Sequence, residues 1–313
     1  MRMFSKPTNY NFMGIRKISG VMSLLLVIAS FALIATRGLN FGIDFTGGVL
    51  VEVGYPEAVE LSSVREVLAA NDFGDAIVQH FGAADDVMIR LPPRESEDAS
   101  ELSEQVYAAL RSDGTAVDLR RVEFVGPQVG EELTVDGGLA MIWALSCIFL
   151  YVVFRFHWKF SAGAVAALGH DVFIVLGIFS LLQLDFDLSV LAALLAVIGY
   201  SLNDTIVVFD RCRENYRRKT GGDEVEVMNR SINEMLSRTL MTSLTTMIVL
   251  IALFLIGGEA LSGFSLALLI GVGVGTYSSI YVAGNVSLAL GLKRDDLIPP
   301  PPAEGLDDNG AQV

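Results

Sequence analysis

The sequence predicts an α-helical polytopic membrane protein with six transmembrane helices and a periplasmic α+β insert of ferredoxin-like type. Three observations carry that prediction. Of 313 residues, 52% are hydrophobic and 19% charged, against about 25% charged in ordinary soluble domains. The apolar residues gather into six runs, each close to the roughly 20 residues that cross a bilayer as a helix. The one long polar interval, 37–134, alternates strand-like and helix-like patterns.

In chain order, a basic N-terminal segment (1–17) leads into the first span, 18–36, and then the insert, 37–134. The other spans are 135–154, 160–182, 188–209, 239–258 and 261–284; 210–238 is a charged loop and 285–313 a tail. The first run is too long for a signal-peptide core and no A-x-A site follows it, so it reads as a retained helix. Arg2, Lys6, Arg16 and Lys17 precede it, Arg155 and Lys159 separate the second and third spans, and Lys293 and Arg294 follow the sixth. The intervening loops near Asp185 and Glu259 carry no Lys or Arg. This asymmetry puts both termini in the cytoplasm and the insert outside, which in a Gram-negative cell is the periplasm. The 210–238 loop mixes charged and apolar residues and predicts amphipathic helices lying on the membrane surface.

Within the insert, an apolar strand at Gly48–Val53 precedes a helix at Ser62–Ala70, where Ser63 and Glu66 fit a capping box. Strands at Ala76–Phe81 and Asp86–Leu91, a helix at Ser100–Arg111 and a strand at Ala116–Val125 complete the order β-α-β-β-α-β. Phe73, Phe81 and Phe124 suit core packing or substrate contact, with the core as default.

The composition also excludes. The net charge is −14, and no segment carries the basic stripe that a nucleic-acid partner needs. Cys147 and Cys212 have neither disulfide-framework nor zinc spacing. His80, His157 and His170 lack a nucleophile motif. We therefore expect a non-enzyme with no cofactor and no metal.

Charge inside the apolar runs is the sharpest signal, since Asp at mid-membrane costs about 2.5–3.5 kcal/mol on insertion scales. Two carboxylates qualify. Asp171, next to His170, sits near the middle of the third span. Asp204, next to Asn203, sits in the cytoplasmic third of the fourth, with Tyr200 and Ser201 one turn away as expected partners. Arg238 opens the fifth span and shares a helix face with Thr242 and with Thr245 or Thr246. An Arg beside a desolvated Asp suits a carboxylate that takes and releases a proton; a static interhelical pair, or a snorkelling Arg238, is the plainer alternative. Asp171 and His170 suit a secondary relay or an interhelical hydrogen bond. Gly271 and Gly275 in the sixth span suit close helix packing, and no P-loop follows the glycines there.

Three segments resemble the SecD/SecF family of the bacterial Sec protein-export machinery, on its SecF side. They are Gly42-Ile43-Asp44-Phe45-Thr46-Gly47-Gly48, Val125-Gly126-Pro127-Gln128-Val129-Gly130, and the run from Ile198 to Arg211 centred on Asn203-Asp204-Thr205. The resemblance covers about residues 10–294. It implies a partner resembling SecD, the SecYEG translocon with its accessory subunits, unfolded preprotein as substrate, and protons whose gradient drives late export. It also implies that Asp204, Arg238 and Thr242, with Asn203 beside them, carry proton coupling. Asp44, Gly47, Gly48, Gly126 and Pro127 become connectors to the insert. The alternatives are a structural subunit that moves no protons, and half of a small-molecule exporter of the related resistance-nodulation-division type.

Overall fold

The computed structural model describes residues 8–94, 99–112, 114, 116–218 and 223–296. Arg2, Lys6, Lys219 and the proline-rich run 299–302 lie outside them. Among the described residues, six helices are long and apolar enough to span a membrane. They are α1 (Arg16–Arg37), α5 (Pro127–Arg155), α6 (Trp158–Leu182), α7 (Leu188–Arg217), α8 (Glu224–Ile256) and α9 (Ser262–Ala289), and all the other elements up to α5 lie between the first two. Those are β1 (Asn40–Phe41), the single turn α2 (Ile43–Thr46), β2 (Gly48–Gly54), α3 (Leu61–Ala70), β3 (Ile77–Phe81), β4 (Ala83–Leu91), α4 (Ala99–Leu110) and β5 (Asp118–Val125). A short strand, β6 (Asp185–Phe186), links α6 to α7 and pairs in parallel with β1.

The insert is a four-stranded sheet in the order β3-β4-β2-β5, every neighbour antiparallel. This is the ferredoxin-like arrangement. Strand alternation does the sorting. Val49, Val51 and Val53 face Leu91, Ile89 and Val87 across the β2–β4 ladder, and all six are buried under Val64 and Leu68 of α3 and Leu102 and Val106 of α4. Phe73 joins this core, whereas Phe124 is 56% exposed. The expected capping box does not form. Helix α3 begins at Leu61, so Ser63 lies inside the first turn, and its hydroxyl donates to the Glu60 carbonyl at 2.7 Å instead of capping.

In the bundle, α6, α7 and α9 form the centre, with about half of their apolar stretches buried, while α5 buries 6% of its own. Lipid tails are as apolar as Leu, so helices there associate through close packing of small residues. A Cβ at Gly271 would run into Val197, one at Gly163 into Ala283 and Ser287, and one at Gly177 into Ser30. At Gly275 the nearest atom would be Ser201 Cβ, 3.1 Å away.

The charged loop departs from expectation. The described part of 210–238 does not form separate short helices: it prolongs α7 to Arg217 and begins α8 at Glu224, and the two ends pack on each other. Asn215 donates to Ser231 Oγ and to Glu234 at 2.9 Å, and Arg211 reaches Glu234 at 2.5 Å. The physical reason is mutual burial. Phe209, Cys212 and Tyr216 meet Val227, Met228 and Ile232 in one core, which hides an apolar stripe that a surface helix would lay on lipid.

Candidate functional site

Asp171 lies in the middle of α6 and is 1% exposed. Ser201 of α7 donates to its Oδ2 at 2.5 Å and Ser278 of α9 to the same oxygen at 2.7 Å. His170 Nδ1 lies 2.9 Å from its Oδ1, and the imidazole stacks on Tyr277. One carboxylate thus ties three central helices together. Gly275 lies beside this cluster: a Cβ there would press on Ser201 at 3.1 Å and make ordinary contact with Oδ2 at 3.5 Å. Sequence spacing assigns Ser201 to Asp204, but the structure turns it to Asp171. An aspartate three residues along the same helix competes for a serine hydroxyl with any better-placed acceptor across the interface, and here the neighbouring helix supplies it in Asp171.

Asp204 is the opposite case. It is 3% exposed, its Oδ2 is buried, and among the described residues that oxygen has no hydrogen-bond partner. The hydroxyls of Tyr200, Thr205 and Thr239 are likewise buried and unpartnered. Tyr200 therefore does not serve Asp204 as expected. Among the described residues no ion pair joins Asp204 to Arg238 within 4.0 Å, and Arg238 is exposed on the outer face of α8. Thr242 is half-buried and spends its hydroxyl on its own helix, at the carbonyls of Arg238 and Thr239. Asn203 is exposed on α7. Within the sequence-derived set Asp204 is buried, Arg238 and Asn203 are exposed, and the Arg238 charge acts on Asp204 without a direct contact.

The connector residues converge at the other end of α7. Asp44 Oδ2 accepts from the Leu188 N–H at 2.9 Å, and Asp187 Oδ1 caps the same helix through Val190 N–H at 2.8 Å. These carboxylates suit the positive end of the helix dipole. Gly47 and Gly48 have φ of +68° and +121°, a region open to glycine. At Gly48 a side chain would strike the Leu91 carbonyl, and at Gly47 it would press on Pro127 Cα at 3.0 Å. Gly126 and Pro127 are not a free loop: Gly126 is the N-cap of α5 and Pro127 its first residue, so strand β5 runs straight into the second span.

Sequence reasoning missed a further cluster. Arg90 of β4, 6% exposed at its side chain, pairs with Asp185 at 2.6 Å and donates to the Phe41 carbonyl at 2.6 Å and to Asn40 Oδ1 at 3.2 Å. Gln79 of β3 also donates to Asp185. These groups moor the sheet to the ends of the spans, beside a cleft of about 410 Å³ that also takes in Asp44, Arg121 and Glu123. The available signal was a lone Arg inside the apolar run Val87–Leu91. Among the described residues no cluster of His, Cys, Asp or Glu has metal-binding geometry.

Fold and site together define a class: a polytopic membrane protein with an α+β domain strung between its first two spans and isolated carboxylates buried among its central helices. Two family descriptions match it, "Protein export membrane protein SecD/SecF, C-terminal" over residues 105–293 and "SecD/SecF GG Motif" over residues 32–55. Protein translocase subunit SecF of Vibrio alginolyticus is 52% identical over 291 residues, covering 92% of this chain and 92% of that protein. The subunit of the same name from Pseudomonas aeruginosa is 50% identical, covering 95% and 97%. The crystal structure of SecDF from Thermus thermophilus, described as a translocon-associated membrane protein, superposes with a TM-score of 0.84 at 38% identity. A SecDF structure in a super-membrane-facing form gives 0.68 at 39%. In both, the likeness covers 92% of this chain and 39% of the longer SecDF chain. The chain belongs to the SecF family.

Proposed function

We propose that the protein is the SecF subunit of a SecD–SecF complex in the bacterial inner membrane, and that it uses proton movement to complete export of preproteins through the SecYEG translocon. Both termini face the cytoplasm and the insert faces the periplasm, as the Lys and Arg distribution argues. Asp204 carries the proton. The observation behind this is its buried Oδ2, which has no hydrogen-bond partner among the described residues. A carboxylate held so has lone pairs left for a proton or a water, whereas Asp171, with both oxygens engaged, acts as a fixed clasp and a secondary site alongside His170.

Arg238 lies one helix away and has no ion pair among the described residues, so it biases Asp204 without locking it. Protonation of Asp204 changes the balance between α7 and α8. Helix α7 then transmits the shift along its length, since the end remote from Asp204 is bound to Asp44 of the glycine-rich connector. One charge crossing 100 mV is worth about 2.3 kcal/mol, so a few protons supply enough work to move a small domain. Unfolded preprotein is the load.

The test is preprotein export under a fixed, imposed proton gradient in vesicles holding this chain and a SecD partner. Asp204→Asn is expected to abolish the gradient-dependent part of export with normal complex assembly. Unchanged export and unchanged proton flux would sink the proposal and leave a structural subunit as the better reading.

A further inference from the structure

We infer a binding site for one anionic phospholipid between the N-terminal end of α1 and the C-terminal end of α9. A groove of about 770 Å³ opens there. Arg16, Lys17 and Lys293 stand at its rim and Val21, Val286 and Leu292 form apolar wall. None of the three cations has an ion pair among the described residues. Glu224 is the one carboxylate lining the groove, leaving an excess of two positive charges.

The placement of these charges needs an anion. Arg16 and Lys17 occupy the first turn of α1, where the helix dipole is positive and disfavours cations, and no acidic residue shares that turn. The face of α1 turned away from α6 and α9 is apolar, with Ile18 71% and Val21 60% exposed, so the groove opens sideways beside a face suited to hydrocarbon. Asn285 holds the wall in place by donating to the Arg16 carbonyl at 2.7 Å and to Ser19 Oγ at 3.2 Å. A soluble phosphate would use the cations and leave the apolar wall uncovered. A phospholipid satisfies both, with its phosphate at the rim and an acyl chain along Val21 and Val286. Basic pockets between membrane helices recognise anionic headgroups in this way.

The experiment uses the full chain with a SecD partner in nanodiscs of phosphatidylcholine and phosphatidylglycerol, followed by detergent extraction and native mass spectrometry. Retention of phosphatidylglycerol over phosphatidylcholine is expected. Gln at Arg16, Lys17 and Lys293 should weaken it by about fivefold per cation removed. Ala289→Trp, at an exposed position beside the groove, should weaken retention without altering charge or membrane orientation, and so keeps the test decisive should the triple variant insert wrongly. Glu224→Gln should strengthen it. Equal retention of the two lipids, or retention unaffected by Ala289→Trp, would overturn the inference. So would displacement by glycerol 3-phosphate as effectively as by lipid, which would assign the site to a soluble phosphate. Anionic retention that appears only after removal of 297–313 would assign the groove to the acidic tail and overturn it as well.

Discussion

At the scale of single residues, two aspartates of similar burial differ in what surrounds them. Asp171 has His170, Ser201 and Ser278; Asp204 has a buried oxygen with no partner. Hydrogen bonds between membrane helices contribute about 0.6–2 kcal/mol. Ser278→Ala is therefore expected to lower stability in detergent by about 1–2 kcal/mol while leaving gradient-driven export intact. A loss of export at unchanged stability would move proton coupling to Asp171. Burial and charge made both aspartates legible as candidates, but not the contrast between them, because the donors to Asp171 come from helices 30 and 107 residues away in sequence.

Elements are coupled through few, close contacts. Gly271 allows α9 to approach α7 at Val197, so Gly271→Leu should overpack this seam and cost about 1–3 kcal/mol, read as a lowered melting temperature of the purified protein. A melting curve like that of the parent would mean that the seam relaxes freely. The Arg90–Asp185 pair joins sheet to spans in the same way. Removing one member of a largely buried pair leaves the other uncompensated, at about 3–5 kcal/mol. Arg90→Ala should therefore speed hydrogen exchange in β1 and β6 and leave the β2–β4 ladder protected. Exchange unchanged at β1 and β6 would show that the minisheet holds without the ion pair. Periodicity located β2, β3, β4 and β5 to within a few residues. The minisheet of β1 and β6 escaped it, since two-residue strands have no period and exist only because distant segments meet.

For the whole molecule, the two ends of the bundle are closed differently. At the insert end the sheet, the glycine-rich turn and α7 share one set of carboxylates. At the other end Lys159 pairs with Asp296 at 2.6 Å and donates to the Gly291 carbonyl at 2.9 Å, tying the start of α6 to the segment after α9. Partial burial alone would raise the Asp296 carboxyl, but hydrogen bonds from Lys159 and the Lys293 N–H prevail and hold it below the usual carboxylate range. A depressed carboxylate stabilises the fold above its unfolded pKa and loses that contribution as pH falls through its folded pKa. Hydrogen exchange in 290–296 is thus expected to rise only below the normal carboxylate range, and Asp296→Asn to abolish that pH dependence. A rise at neutral pH in the parent would refute the assignment.

What the sequence determined by itself follows from solvent and period. Apolar runs must span, Lys and Arg mark their ends, and alternation with period two sorts the faces of the insert. Those rules identified six helices and a ferredoxin-like insert, and three motifs together, the run around Asn203-Asp204-Thr205 above all, pointed to the SecF family before any contact was known. Only the tertiary structure decided which groups meet. It gave Ser201 to Asp171 instead of Asp204, held Arg238 short of an ion pair with Asp204 among the described residues, packed the end of α7 on the start of α8, and moored the insert through Arg90. Each of these depends on competition among hydrogen-bond partners brought together from distant segments. Local sequence constrains which groups are available, whereas the relative placement of the helices selects the pairs that form.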